Sequence, residues 1–172
     1  NHIGETQTVP HLIRAMKSDY DYIRRHAEMG LRQIDHVQAL PYLVQALQDS
    51  EDSVRRAAAI TLGRIGDVEA VPYLNQRLDD ENEKVRGSVA DALGLIGDLK
   101  ATSSLIHALS DSSNKVRRAA AKALGRIGAT EAISALIELL SDHDMNVRRI
   151  AVESLGRIGD PEAVSSLVEA LK

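Results

Sequence analysis

Cysteine, phenylalanine and tryptophan are all absent from this chain of 172 residues. Without cysteine there is no disulfide framework, no thiolate metal site and no sulfur nucleophile, a composition that suits a reducing cytoplasm. Four tyrosines are the whole aromatic complement. Ala, Leu, Ile and Val must therefore fill the interior, which favours helices packed at close range. No apolar run approaches the roughly 20 residues needed to cross a bilayer, and no signal-peptide pattern opens the sequence. No segment alternates with period two over a useful length, so strands are not expected. The net charge of −4 argues against a general nucleic-acid binder.

What the sequence does contain is a single frame of 31 residues, kept without insertion or deletion. Val54, Val85, Val116 and Val147 are each followed by an arginine (Arg55, Arg86, Arg117, Arg148), and Ile23–Arg24 stands one period earlier. Leu31, Leu62, Leu93, Leu124 and Leu155 recur at the same interval, as do Ala39, Ala70, Ala101, Ala132 and Ala163. A fixed short period means one supersecondary unit stacked on copies of itself. The fold class predicted is an all-α solenoid of helical hairpins, one array over residues 1–172. Five helix pairs and one extra helix give eleven helices.

One unit shows how the hairpin is encoded. Gly66 suits the left-handed end of a helix and Asp67 is a good N-cap for the next. Ala70, Val71, Leu74 and Leu78 then lie three or four apart, as one helical face requires. Asp79 to Asn82 make a polar turn, and a second helix runs from near Lys84 to Ile96 with Val85, Val89, Ala92, Leu93 and Ile96 on one side. Gly63, Gly94, Gly125 and Gly156 fall inside the second helices, where each costs about 1 kcal/mol against Ala. A recurrent cost at one position points to a neighbouring helix too close for a side chain. Pro10, Pro41 and Pro72 fall within first helices and should kink them. Ser103, Ser134 and Ser165 replace them later, so the kink should soften toward the C-terminus. Asp160–Pro161–Glu162 reads as a further helix start. Asn1 to Gly4 reads as the tail of a preceding unit, and no polar capping unit is visible, so the array is expected to be part of a longer one.

The pattern Val-Arg-Arg-Ala-Ala-Ala-x-x-Leu-Gly-x-Ile-Gly-Asp, followed by Ala-Val-x-x-Leu and Asp-x-x-x-x-Val-Arg, resembles the short HEAT repeats of the phycobilisome-lyase type. The match covers essentially the whole chain. The resemblance implies a right-handed superhelix with first helices outside and Val-Arg helices lining the concave side. It also implies that the aspartate ending each outer helix pairs with the arginine six residues later, as Asp49–Arg55, Asp80–Arg86, Asp111–Arg117 and Asp142–Arg148. Ser18 replaces the aspartate before Arg24, leaving that link weak or supplied by Asp19. That family includes bilin lyase subunits, chaperone-like factors and scaffolding segments of larger proteins.

With that fold, the positions of the second helices that point away from the core hold ten basic and five acidic residues. Two rows dominate: Arg25, Arg56, Arg118 and Arg149, and Arg64, Arg126 and Arg157, with Lys122 between them. Gly87 and Leu95 interrupt both rows in the third unit. Such a charge separation steers an acidic protein partner to one side, although arginines also simply cover aliphatic surface and keep an array soluble. Nucleic acid is disfavoured because no aromatics interleave for base stacking. Tyr22, His26 and Met29 could edge a small apolar site at the N-terminal end of this face, the one place where a linear tetrapyrrole would fit. The six histidines include no pair at the three- or four-residue spacing of a helical metal site. A related HEAT-like hydroxylase group binds iron through His–Glu dipeptides, and no histidine here precedes a glutamate. No Gly-rich phosphate loop occurs. The reading is therefore a non-enzymatic protein-binding scaffold without cofactor or metal. A bilin lyase or chaperone-like subunit, or a spacer in a larger protein, are the alternatives.

Overall fold

The structure, a computed structural model, describes residues 2–31, 33 and 36–159. Among the described residues there are ten α-helices and no strand. They are α1 (His2–Ala15), α2 (Asp21–Leu31), α3 (His36–Ala46), α4 (Asp52–Ile65) and α5 (Val71–Arg77). Then follow α6 (Glu83–Ile96), α7 (Thr102–Ala108), α8 (Asn114–Ile127), α9 (Ile133–Glu138) and α10 (Met145–Ile158). The eleventh helix, with Pro161 and Ser165, falls outside the described residues. Odd and even helices pair as hairpins, and each hairpin stacks on the next.

Local chemistry sets the boundaries. Gly66 ends α4 at φ +78°, a conformation open to glycine at little cost, and its N–H bonds the Leu62 carbonyl. Asp67 then caps the next segment by accepting the Glu69 N–H. Asn82 caps α6 by accepting the Lys84 N–H. Between these signals the apolar positions meet in one continuous core. Leu43, Leu62, Leu74, Leu93, Leu105, Leu124 and Leu136 have no exposed surface.

The even helices are drawn together by their glycines. A Cβ built on Gly63 would lie 2.6 Å from the Cα of Ala92, and one on Gly94 2.7 Å from the Cα of Ala123. Gly125 meets Ser154 in the same way, at 2.7 Å. The odd helices α5, α7 and α9 touch one another far less. A stack pinched along one row and splayed along the other curves toward the pinched row, so the even helices line the concave side.

Two sequence expectations need correction. The kink at Pro72 does not soften where serine replaces proline. Each of the outer segments opens with a 3-10 turn (Val68–Ala70, Leu99–Ala101, Thr130–Ala132) before its α-helix. The break therefore belongs to the 3-10 entry turn, capped by Asp67 and Asp98 in two units and preceded by Ala129 in the third, and Pro72 merely occupies the first turn of α5, where a missing N–H costs little. Pro10 and Pro41 lie inside α-helices that continue past them. Nor do the first residues form a separate helix tail: α1 runs unbroken from His2 through Gly4 and Pro10 to Ala15.

Candidate functional site

The Asp–Arg ladder is built differently from the six-residue pairing. Arg55 grips the aspartate of the following unit, with Nε to Asp80 Oδ2 at 2.8 Å and Nη2 to Asp80 Oδ1 at 2.9 Å. Its Nη1 donates to the backbone carbonyls of Asp49 and Ser50 at 2.9 and 3.0 Å. Arg86 holds Asp111 and the Asp80 carbonyl in the same manner. Arg117 does likewise with Asp142 and the Asp111 carbonyl. So the aspartate six residues back offers its carbonyl, and the carboxylate comes from 25 residues ahead. The planar guanidinium explains this: its Nε/Nη2 edge fits a carboxylate while Nη1 remains for the turn, which crosslinks adjacent units. Arg148 repeats the backbone half, donating to the Asp142 and His143 carbonyls at 2.7 and 3.3 Å. In the first unit Arg24 binds the Ser18 carbonyl and Asp21, not Asp19. Asp49 is instead taken by Lys17 at 3.0 Å.

These carboxyls are held low. Burial pushes the Asp80 carboxyl up, but the Arg55 hydrogen bonds and the Asn82 N–H outweigh it and leave it below the ordinary range. Asp111 follows the same balance with Arg86 and the Ser113 N–H. For Asp142 the Arg117 hydrogen bonds lead and burial opposes. Arg55 and Asp80 side chains are 6% and 2% exposed, against 14% and 11% for Arg86 and Asp111, so the Arg55 rung is the driest of the ladder.

The concave side carries two grooves. The larger, of about 790 Å³, crosses α4, α6, α8 and α10 and gathers Arg56, Arg118, Lys122 and Arg149. Lys84 and Lys115 add positive charge to it, and Glu83, Asp91 and Glu153 offset part of that charge. Ala119 and Ile150, nearly buried, form its floor. The second groove, of about 730 Å³, lies against α2 and α4 and is lined by Arg25, Met29, Arg56, Ile60 and Arg64. Arg126 and Arg157 are exposed but stand outside both.

The cations of this face differ in what they touch. Arg25 pairs with Asp21 at 3.0 Å and Arg149 with Glu153 at 2.8 Å, each one turn away on its own helix. Lys115 reaches Glu83 on α6 at 3.0 Å. Arg56 leans across to the Ser88 hydroxyl at 3.3 Å, and Arg64, also exposed, is itself engaged. Among the described residues nothing pairs with Arg118, Lys122 or Arg126, although they follow one another at one-turn intervals along α8. The N-terminal apolar group is spread out. Met29 is 54% exposed and faces the second groove, while the exposed Tyr22 sits beside Tyr20 with ring centroids 6.0 Å apart. His26 uses Nδ1 on the Tyr22 carbonyl at 2.6 Å. Among the described residues no three His, Asp or Glu side chains converge as metal ligands. No helix among them is long and apolar enough to cross a membrane.

Residues that periodic reasoning did not single out also bridge the units. Asn82 donates to Asp52 and Asn114 to Asp144, each across 30 residues. Their signal is an amide and a carboxylate nearly one period apart.

A family model described as HEAT repeats matches residues 9–94, 43–113 and 102–172. No curated protein is significantly similar in sequence. Among solved structures, the complex of CpcE and CpcF of phycocyanin lyase from Nostoc sp. PCC7120 superposes with a TM-score of 0.72 at 26% identity, covering 92% of this chain and 68% of that one. A designed armadillo repeat protein in complex with the peptide (KR)4 gives a TM-score of 0.63 at 24% identity over 94% of this chain and 87% of that one. Human deoxyhypusine hydroxylase in complex with glycerol gives 0.63 at 23% identity over 98% and 68%.

Proposed function

Because the chain belongs to the HEAT-repeat family, we propose that it is a non-enzymatic scaffold that docks an acidic protein on its concave face. Arg25, Arg56, Arg64, Arg118, Lys122, Arg126, Arg149 and Arg157 supply the contacts. The observation that carries this reading is the unneutralised run Arg118, Lys122, Arg126 on α8. Like charges one turn apart destabilise a helix by about 0.2–0.5 kcal/mol per pair. At the same register α10 relieves this by pairing Arg149 with Glu153, and α8 does not. Left unpaired beside a groove with an apolar floor, they are free to engage carboxylates of a partner and to accelerate its approach. The face has no interleaved aromatics, which favours protein over nucleic acid. The solved armadillo design bound to a (KR)4 peptide offers a parallel of opposite sign: a stacked-helix surface and a charged peptide.

Reversing charge at Arg118, Arg126 and Arg149 together (each to Glu) tests the reading. A fluorescein-labelled peptide rich in Asp and Glu should bind the native protein, more weakly as salt rises. It should lose that binding in the triple variant while far-UV circular dichroism stays unchanged. Retained affinity in the triple variant overturns the proposal.

The likeness to the phycocyanin lyase complex favours a second reading, a bilin lyase or phycobiliprotein chaperone-like subunit. Tyr22, His26 and Met29 would then edge the chromophore. Incubation with a bilin decides it: an unchanged visible spectrum at tens of micromolar removes this reading.

A further inference from the structure

The third unit is where the concave face departs from its own pattern. In the row Arg25, Arg56, Gly87, Arg118, Arg149, the centre has no side chain, and a Cβ built on Gly87 meets nothing within 4 Å. Two turns further along α6, Leu95 stands at the register of Arg64, Arg126 and Arg157 and is 53% exposed. Between them Asp91, also exposed, presents a negative charge into the larger groove. So α6 offers open space and a leucine where α4 and α8 offer cations, and a carboxylate where α4 offers Ile60 and α8 offers Lys122.

Resting on the concave-face reading above, we infer that α6 forms a specificity notch for an extended acidic segment. The open space over Gly87 takes a bulky uncharged side chain, between two acidic positions held by Arg56 and Arg118. An acidic residue at the centre is disfavoured because it meets Asp91 rather than a cation. Packed helices lie about 8–10 Å apart, so α4 and α8 are separated by two such steps. A chain rising about 3.3–3.6 Å per residue covers that span in about five or six residues. The partner class is thus a segment with two acidic clusters about that far apart and a leucine-like residue midway. A uniformly acidic stretch is the wrong ligand.

Two labelled peptides test the inference: Asp-Glu-Ser-Ser-Leu-Ser-Ser-Glu-Asp and the same sequence with Glu in place of the central Leu. Fluorescence anisotropy should show the native protein preferring the Leu peptide by about tenfold, the worth of half-burying one leucine. Gly87→Arg together with Leu95→Arg completes both cationic rows without steric conflict at position 87 and should abolish or invert the preference. Leu95→Arg alone, about 12 Å further along α6, should leave the preference unchanged. Equal affinity of the native protein for both peptides overturns the notch. If that equal binding is lost on charge reversal at Arg118, Arg126 and Arg149, the concave-face reading still stands. Failure of both peptides to bind, or binding indifferent to the charge reversal, overturns the concave-face reading and the notch with it.

Discussion

Two glycines of α6, seven residues apart, should respond in opposite directions to the same substitution. In Gly94→Ala the new methyl carbon would lie 2.7 Å from both the Cα and the Cβ of Ala123. Carbon pairs are comfortable at about 3.5–4.0 Å, so α6 and α8 must part by about 1 Å. The opposing atoms are backbone and cannot rotate away, so the strain spreads along the whole seam between the two helices. Overpacking of this kind costs about 1–3 kcal/mol, and alanine's better helix propensity returns about 1 kcal/mol. With rigid backbone opposite, the upper part of the range applies, and Gly94→Ala should destabilise by about 1–2 kcal/mol. Gly87→Ala meets nothing, so only propensity remains, and it should stabilise by about 1 kcal/mol. Because both sites share one helix, uneven unfolding along the array cannot separate them. Urea unfolding followed by far-UV circular dichroism, with midpoints compared at equal slope, measures the difference. If Gly94→Ala proved as stable as Gly87→Ala, close helix approach would not be the reason glycine recurs there.

Other expectations concern the ladder. Asp80→Ala removes the carboxylate that holds both Nε and Nη2 of Arg55 in a dry site, leaving the exposed Glu81 on Nη2 at 3.2 Å. It should cost about 3 kcal/mol by urea unfolding, as breaking a buried pair does; a loss under about 0.5 kcal/mol, typical of an exposed pair, would mean the rung is solvated. Asp80, Asp111 and Asp142 all titrate below their ordinary value in the folded state. Their contribution is complete above the unfolded pKa of about 3.9 and is lost as pH falls through the lower folded values. Thermal midpoints should hold steady from neutral pH to about 5 and drop steeply below about 4; a maximum near pH 3 would contradict the direction of these shifts.

The hairpin repeat, its caps and its core were legible because each is a local signal repeated in phase. Gly66, Asp67 and Asn82 act within a few residues of themselves, and the glycine–alanine contacts follow from one recurring penalty. The Asp–Arg pairing was not legible. Every ladder aspartate stands six residues before one arginine and 25 after another, so periodicity alone cannot say which arginine takes its carboxylate. Only the side-by-side stacking of units decides, since the Arg55 fork faces the next turn more squarely than its own. The proline kinks misled for a related reason: Pro72 marks a break that Ser103 and Ser134 tolerate just as well, because the 3-10 entry turn creates it. Concave placement was readable by register. Which cations there lack a partner was not, because it depends on rotamers across neighbouring helices.

That contrast suggests how to divide scaffold from site in a repeat array. Residues that recur from unit to unit serve the stack itself: the buried leucines, the glycine approach, the guanidinium crosslinks. They hold the rod together and say little about what it binds. Information that places a partner along the array lies where copies differ, and the concave side of α6 is one such place. There Gly87 and Leu95 replace cations that α4, α8 and α10 repeat, while Val85, Val89 and Leu93 of the same helix remain fully buried in the shared core. The scaffold is therefore indifferent to the change, and the groove is not. A solenoid whose uniform charge is broken at its middle unit has lost symmetry only on the surface where a ligand would detect it.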